Sequence, residues 1–237
     1  MINTIKCDVM ESNNNSINSE NNVTKHPSLG EGLGGLIINI GRQLGSGGHD
    51  IGRMLALDFG AKYYDRELLN LAAKESGFSE KLFEAHDEKK GFLRGLFNIQ
   101  AAHVTEGSLY RSGFTQESLF QFQSEAIRKA AQQGSCVFVG RCADYVLRDF
   151  PNAVSVFITA SMAFRISQVM NKQHLDHDQA RKFIEQKEAS RAAYYNYYTG
   201  KKWGAAESYD LCIDSSILGL QQTEQLIAEF IRKRFKI

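Results

Sequence analysis

Apolar residues fall along this chain in two rhythms. Short β-branched runs have the length and content of buried strands: LIINI (Leu36 to Ile40), AKYYD (ending at Asp65), CVFVG (Cys136 to Gly140), AVSVFITA and YDLCIDS. Between them the apolar positions recur at helical spacing. Ile51, Leu55 and Phe59 share one face of the first such stretch, with Arg53 and Asp58 off it and Gly60 placed to close it. ELLNLAAKESG, SEKLFEAHDEKK, RGLFNIQAAHV and ESLFQFQSEAIRKAAQQG carry helical patterns with no strand among them. The charged stretch from SMAFRISQ to AAYYNYY, between the fourth and fifth strands, is also helical, and TEQLIAEFIRKRF ends the chain as an amphipathic helix. Strands alternating with helices pair in parallel through right-handed crossovers. The pattern therefore predicts an α/β fold, a five-stranded parallel sheet flanked by helices in three layers. Residues 1–33, rich in Asn, Ser and Gly, lack the apolar surface to offset ordering entropy and predict a disordered tail. That leaves 34–237 as a single domain.

Composition narrows the function classes. Lys plus Arg (28) nearly balances Asp plus Glu (27), so no electrostatic pull toward nucleic acid or an anionic membrane is expected. No apolar run has the length of a membrane span, and no basic-then-apolar leader opens the sequence. Cys7, Cys136, Cys142 and Cys212 form no CxxC pair, and the apolar setting of three of them fits small buried residues in a reducing, cytoplasmic compartment. The six histidines are scattered and suggest no metal site.

Candidate chemistry begins after the first strand, in GRQLGSGGHDIGRMLA (Gly41 to Ala56). Glycines 45, 47 and 48 lie between a strand and a helix, where backbone N–H groups and the helix dipole make an anion site. Three glycines in four residues exceed what a plain turn requires, which points to phosphate binding by Gly45, Ser46, Gly47, Gly48, His49 and Asp50. The segment departs from G-x-x-x-x-G-K-[ST]. With Gly47 as the second glycine, the lysine slot holds Gly48 and the hydroxyl slot holds His49, or Asp50 in the variant spacing. Another cation must replace the lysine, and Arg42 is the nearest.

The run from Arg42 to Gly52 resembles the glycine loop of the cytidylate-kinase-like family. The similarity continues through YYDRELL (Tyr63 to Leu69), CVFVGRCADYVL (Cys136 to Leu147), VFITAS (Val156 to Ser161), KEASRAAYYNYYTGKKWG (Lys187 to Gly204) and YDLCIDSS (Tyr209 to Ser216). It spans nearly everything from Leu36 onward, and six segments in the right order are specific. The resemblance implies a P-loop kinase-like fold. A helical acceptor-binding insertion would span about 66–135 and a lid about 164–206. It implies ATP with Mg2+, and a nucleotide or other small molecule as acceptor. Asp65 and Arg141 take the positions of acceptor-binding residues, with Arg66 beside Asp65. Lys187 and Arg191 take those of the lid's basic pair, with Glu188 where the family has Asp. The Asp214–Ser216 segment falls near the donor base.

The residues themselves leave alternatives open. Lys187 and Arg191, four apart, share a helix face that either reaches phosphate or is solvated and paired with Glu188. Arg141 follows a buried strand at the carboxyl end, where open α/β sheets bind ligands, yet it is also placed to pair with Asp144. Asp65 is an acceptor-facing base or a helix N-cap. Tyr194, Tyr195, Tyr197, Tyr198 and Trp203 are expected to pack a helix end, and Lys201 and Lys202 to approach phosphate on lid closure. For the whole chain the expectation is an ATP-dependent kinase with Arg42, Lys187 and Arg191 as its catalytic cations. The alternative is a nucleotide-binding regulatory protein that retains the fold without turnover.

Overall fold

All five apolar runs become strands, and their pairing decides where the loops between them converge. The computed structural model describes residues 34–65 and 116–237. The strands are β1 (Ile37–Arg42), β2 (Lys62–Tyr64), β3 (Cys136–Val139), β4 (Ala153–Thr159) and β5 (Leu211–Asp214). Each pairs in parallel with its neighbours, in the order β2-β3-β1-β4-β5. The helices of the described residues are α1 (Gly48–Asp58), α2 (Gln116–Gln132), α3 (Ala143–Val146), α4 (Met162–Gln173), α5 (His177–Thr199) and α6 (Ser215–Phe235). The expected tail, Arg66 and the insertion up to residue 115 lie outside the described residues; the last part of the insertion is α2.

Alternation along β1 builds the three layers. Ile38 and Ile40 face a core shared with Ile51 and Leu55 of α1 and Ile227 and Ile231 of α6. Ile37 faces the opposite side, with Phe138, Ile127 of α2 and Ala143 and Val146 of α3. Each of these fully buried aliphatic side chains contributes roughly 1.5–3 kcal/mol. A third, smaller core holds α4 against α5 through Ile166, Val169, Ala180 and Ile184, and Leu44 of the glycine loop packs against it. The α4–α5 hairpin turns at Asp176, whose carboxylate caps Gln179 while the Gln179 side chain caps Asp176 in return.

β1 runs two residues beyond the apolar run that predicts it. Gly41 and Arg42 pair with Phe157 and Ile158 of the longer β4, so β1 ends at Arg42 and the loop starts after it. Gly41 is required there, because a Cβ would stand 2.6 Å from the Phe157 ring.

Candidate active site

Four connections leave the carboxyl ends of these strands together: the glycine loop after β1, the Asp65 end of β2, the β3–α3 turn and the α4–α5 hairpin. The glycine loop is held from three sides. Ser215 Oγ donates to the Ser46 carbonyl at 2.7 Å. Glu188 Oε1 accepts from the Leu44 N–H at 2.8 Å, and Arg165 Nε donates to the Leu44 carbonyl at 2.8 Å. Arg165 and Glu188 pair directly at 2.9 Å, with only 5% and 17% of their side chains exposed. A buried pair of this kind fixes geometry more than it adds stability.

Each loop glycine answers to a neighbour. At Gly45 a Cβ would stand 2.7 Å from the Arg165 carbonyl oxygen. At Gly47 it would run into Leu220, and at Gly48 it would lie 2.5 Å from Cβ of Arg42. Arg42 is thus cradled, its stem against Gly48 and its guanidinium in the space left by Gly140, the first residue after β3. Its Nη2 lies 3.1 Å from His49 Nε2. The His49 Nδ1 in turn lies 2.9 Å from Asp65 and 3.1 Å from the Tyr63 hydroxyl.

Two cavities open on this arrangement. The first, about 130 Å3, lies between the glycine loop and the hairpin; His49, Asp50, Gln168, Lys172 and Phe183 are on its wall. The second, about 200 Å3, lies over the ends of β1 and β3. One end of it holds Asp65, Arg141, Lys187 and Arg191, and the other holds Asp144, Tyr194, Tyr195, Trp203 and Tyr209. Arg42 and Arg191 line both.

The cations are crowded. Burial and the nearby charge of Arg191 push Arg42 down to about 9, with Asp65 opposing and Arg141 adding to the effect. Arg191 is lowered chiefly by burial, with Glu188 opposing and Arg165 and Arg141 reinforcing. Lys187, its ammonium 5.0 Å from the Phe183 ring centre, is lowered by burial and by Arg191. Burial raises Asp65, but the His49 hydrogen bond and the charges of Arg42 and Arg141 outweigh it and hold the carboxyl below its ordinary value. Buried cations that depress one another are stabilised by an anion placed among them.

Backbone strain aims one of them. Gly140, Arg141 and Cys142 have φ of 79°, 59° and 56°, and the left-handed conformation costs about 1–2 kcal/mol at each non-glycine position. Asp144 does not take Arg141 as its partner: its carboxylate accepts from the Tyr195 hydroxyl at 2.7 Å.

The structure brings Arg42, His49, Asp50, Asp65, Arg141, Lys187 and Arg191 to the walls of the two cavities, together with Gly45, Gly47 and Gly48. Ser46 is turned inward, fully buried, with its hydroxyl donating to the Gln43 carbonyl, so its part is to shape the loop. Glu188 serves Leu44 and Arg165 more closely than Arg191, which stands 3.8 Å away. Asp50 is neutralised by Lys172 at 3.0 Å. Arg165, Gln168, Lys172 and Phe183 escape sequence reasoning. The one available signal is Arg165 itself, a charge on the apolar face that Ile166 and Val169 also occupy. The tyrosines both pack and line: Tyr198 stacks on Phe120 at 4.2 Å between ring centres, whereas Tyr194, Tyr195 and Trp203 also face the larger cavity.

Comparison with known proteins agrees with this picture. A sequence profile of the cytidylate kinase-like family matches residues 37–217. No curated protein matches the chain. Among solved structures it is similar to an uncharacterized protein from Eubacterium ventriosum ATCC 27560. The identity is 27% and the TM-score 0.63, over 83% of this chain and 98% of that one. It is also similar to shikimate kinase from Bacteroides thetaiotaomicron, at 12% identity and a TM-score of 0.48, over 83% and 98% of the two chains. At so low a score the latter similarity says nothing about an acceptor.

Proposed function

The chain belongs to the cytidylate kinase-like family, and on that premise we propose that it is a cytoplasmic, ATP-dependent phosphotransferase acting on a nucleoside monophosphate or another small anionic acceptor. One observation carries the reading: the two cavities share a wall made of Arg42 and Arg191. A donor triphosphate against the glycine loop and an acceptor over β1 and β3 would meet at those two cations. Phosphoryl transfer asks for little else, since its barrier is lowered chiefly by alignment and by neutralising charge on the moving group. The acceptor oxygen bonds to the γ-phosphorus, the bond to the β-phosphate oxygen breaks, and ADP leaves. Arg42, Arg191 and Lys187 would stabilise the charge in transit, and Arg141 would hold the acceptor's own anion. An acceptor hydroxyl would pass its proton to Asp65, whereas a monophosphate oxygen is already anionic and needs no base.

Among the described residues no three His, Cys, Asp or Glu side chains gather to hold a metal ion. Magnesium requires few protein ligands, one or two carboxylates beside the substrate phosphates. Asp50 is already paired with Lys172 and Asp65 with His49, so the ion would be held chiefly by the substrate phosphates. When bound with the nucleotide, the ion would supply charge neutralisation for the donor phosphates. The described residues also include no helix long and apolar enough to cross a membrane.

The binding-only alternative rests on the lysine-free loop. Thermal denaturation with Mg-ATP, followed by ADP release over a panel of monophosphates and small hydroxyl acceptors, separates the two. At a hundred times Kd, Mg-ATP should stabilise the fold by about 2.7 kcal/mol, and ADP release should depend on the acceptor. Stabilisation without turnover on any acceptor supports the regulatory protein, and no stabilisation removes the phosphate site altogether.

A further inference from the structure

His49 occupies the place where a standard phosphate loop carries a hydroxyl, yet both of its ring nitrogens are already engaged inside the protein. Nε2 faces the Arg42 guanidinium at 3.1 Å. A guanidinium only donates, so Nε2 must carry a lone pair and accept. Nδ1 faces the Asp65 carboxylate at 2.9 Å. An ionised carboxylate only accepts, so Nδ1 must carry the proton. The two contacts together select one form of the ring, neutral with its hydrogen on Nδ1. In an unconstrained neutral histidine the other tautomer predominates. The Tyr63 hydroxyl, 3.1 Å from Nδ1, steadies the ring from the side, and the Tyr63 ring itself lies against Gly52 and under the Arg53 guanidinium, 5.5 Å away.

The order of these groups follows the site. His49 lines the donor cavity, Asp65 lines the acceptor cavity, and Arg42 lines both. We infer that His49 is a positioning residue that couples the two cavities, its ring transmitting through Arg42 and Asp65 what each bound substrate does to the other. This rests on the kinase reading for what fills the cavities, and on the contacts alone for the ring. A donor phosphate drawing on Arg42 changes the partner at Nε2. An acceptor drawing on Asp65 changes the partner at Nδ1. Both act on one imidazole, so each ligand prepares the groups that the other meets. A charged ring would lose the Arg42 contact and add a further cation to a wall that already holds Arg42 and Arg191, and a phosphate ligand would have to displace an existing partner.

Two measurements on the full-length chain test this. In histidine-labelled protein, long-range nitrogen–proton spectra should show one ring with Nδ1 protonated and Nε2 bare. That signal should vanish in His49→Asn and shift toward the opposite tautomer in Asp65→Asn. A wild-type His49 that is doubly protonated, or protonated on Nε2, overturns the assignment whether or not the protein is a kinase. The second is calorimetry with a non-hydrolysable ATP analogue and CMP. Each should tighten the other's binding about fivefold or more in the wild type. In His49→Ala the mutual effect should disappear, each ligand's affinity being the same with the other present as without it. His49→Asn keeps an amide donor for Asp65 and should restore part of the effect. Coupling that survives in His49→Ala overturns the role; a wild type that binds neither ligand overturns the kinase reading and the coupling with it, leaving the tautomer to stand or fall on its spectrum.

Discussion

Two strand-to-helix turns stand side by side at the carboxyl end of the sheet, built on opposite principles. The turn after β1 contains Gly45, Gly47 and Gly48, each pressed by a neighbour, and its conformation is secured by Arg165, Glu188 and Ser215. The turn after β3 has one glycine and then forces Arg141 and Cys142 into the left-handed region. Glycine in the first turn testifies to close packing before it testifies to phosphate. Strain in the second is tolerated where a cation is directed into a cavity, as strained backbone at functional positions often is.

Removing the brace of the first turn should have the largest effect. Glu188→Ala leaves Arg165 buried without its carboxylate, and chemical denaturation should report a loss of about 3–5 kcal/mol. Gly45→Ala comes next, because the obstructing atoms are Arg165 backbone and cannot swing aside; a loss of roughly 2–3 kcal/mol is expected in the same measurement. The second turn should behave in the opposite sense. Arg141→Gly relieves its backbone and should stabilise the fold by up to about 1 kcal/mol, measured by denaturation. The same substitution should weaken pyrophosphate binding, followed by calorimetry, about tenfold or ~1.4 kcal/mol. If it destabilises instead, the contrast between the turns fails.

The smallest effect is one of pH. Asp65 titrates below its ordinary value in the fold, so its contribution is fully present above the unfolded aspartate pKa of about 3.9. It is lost as the pH falls through the lower folded value. The stability difference between wild type and Asp65→Asn should therefore be flat at neutral pH and change only on the acid limb, under urea titration. A difference that varies between pH 6 and 8 would mean another group governs the site.

The fold was legible because strand-forming runs and helical spacing are local signals, and all five strands fell on apolar runs that announced them. β1 outran its apolar run because β4 offered pairing partners for Gly41 and Arg42, a fact of the neighbour and not of the segment. The cations at the strand ends and on α5 could be named from position and resemblance. What they face could not. Arg42 follows the path that Gly48 and Gly140 leave open, and those glycines are 92 residues apart. Lys172 joins the smaller cavity only because α4 and α5 fold into a hairpin over the loop. Ser46 carried the composition of a phosphate loop, but its hydroxyl was claimed by Gln43, three residues back.

The bond from the Leu44 N–H to Glu188 has a use beyond holding the loop. It makes one amide a clock. Deuterium can replace that hydrogen only when the loop and α5 part, so its exchange rate measures the free energy of that opening and no other. Recorded with and without nucleotide, a single resonance would tell how firmly the hairpin is shut in each condition.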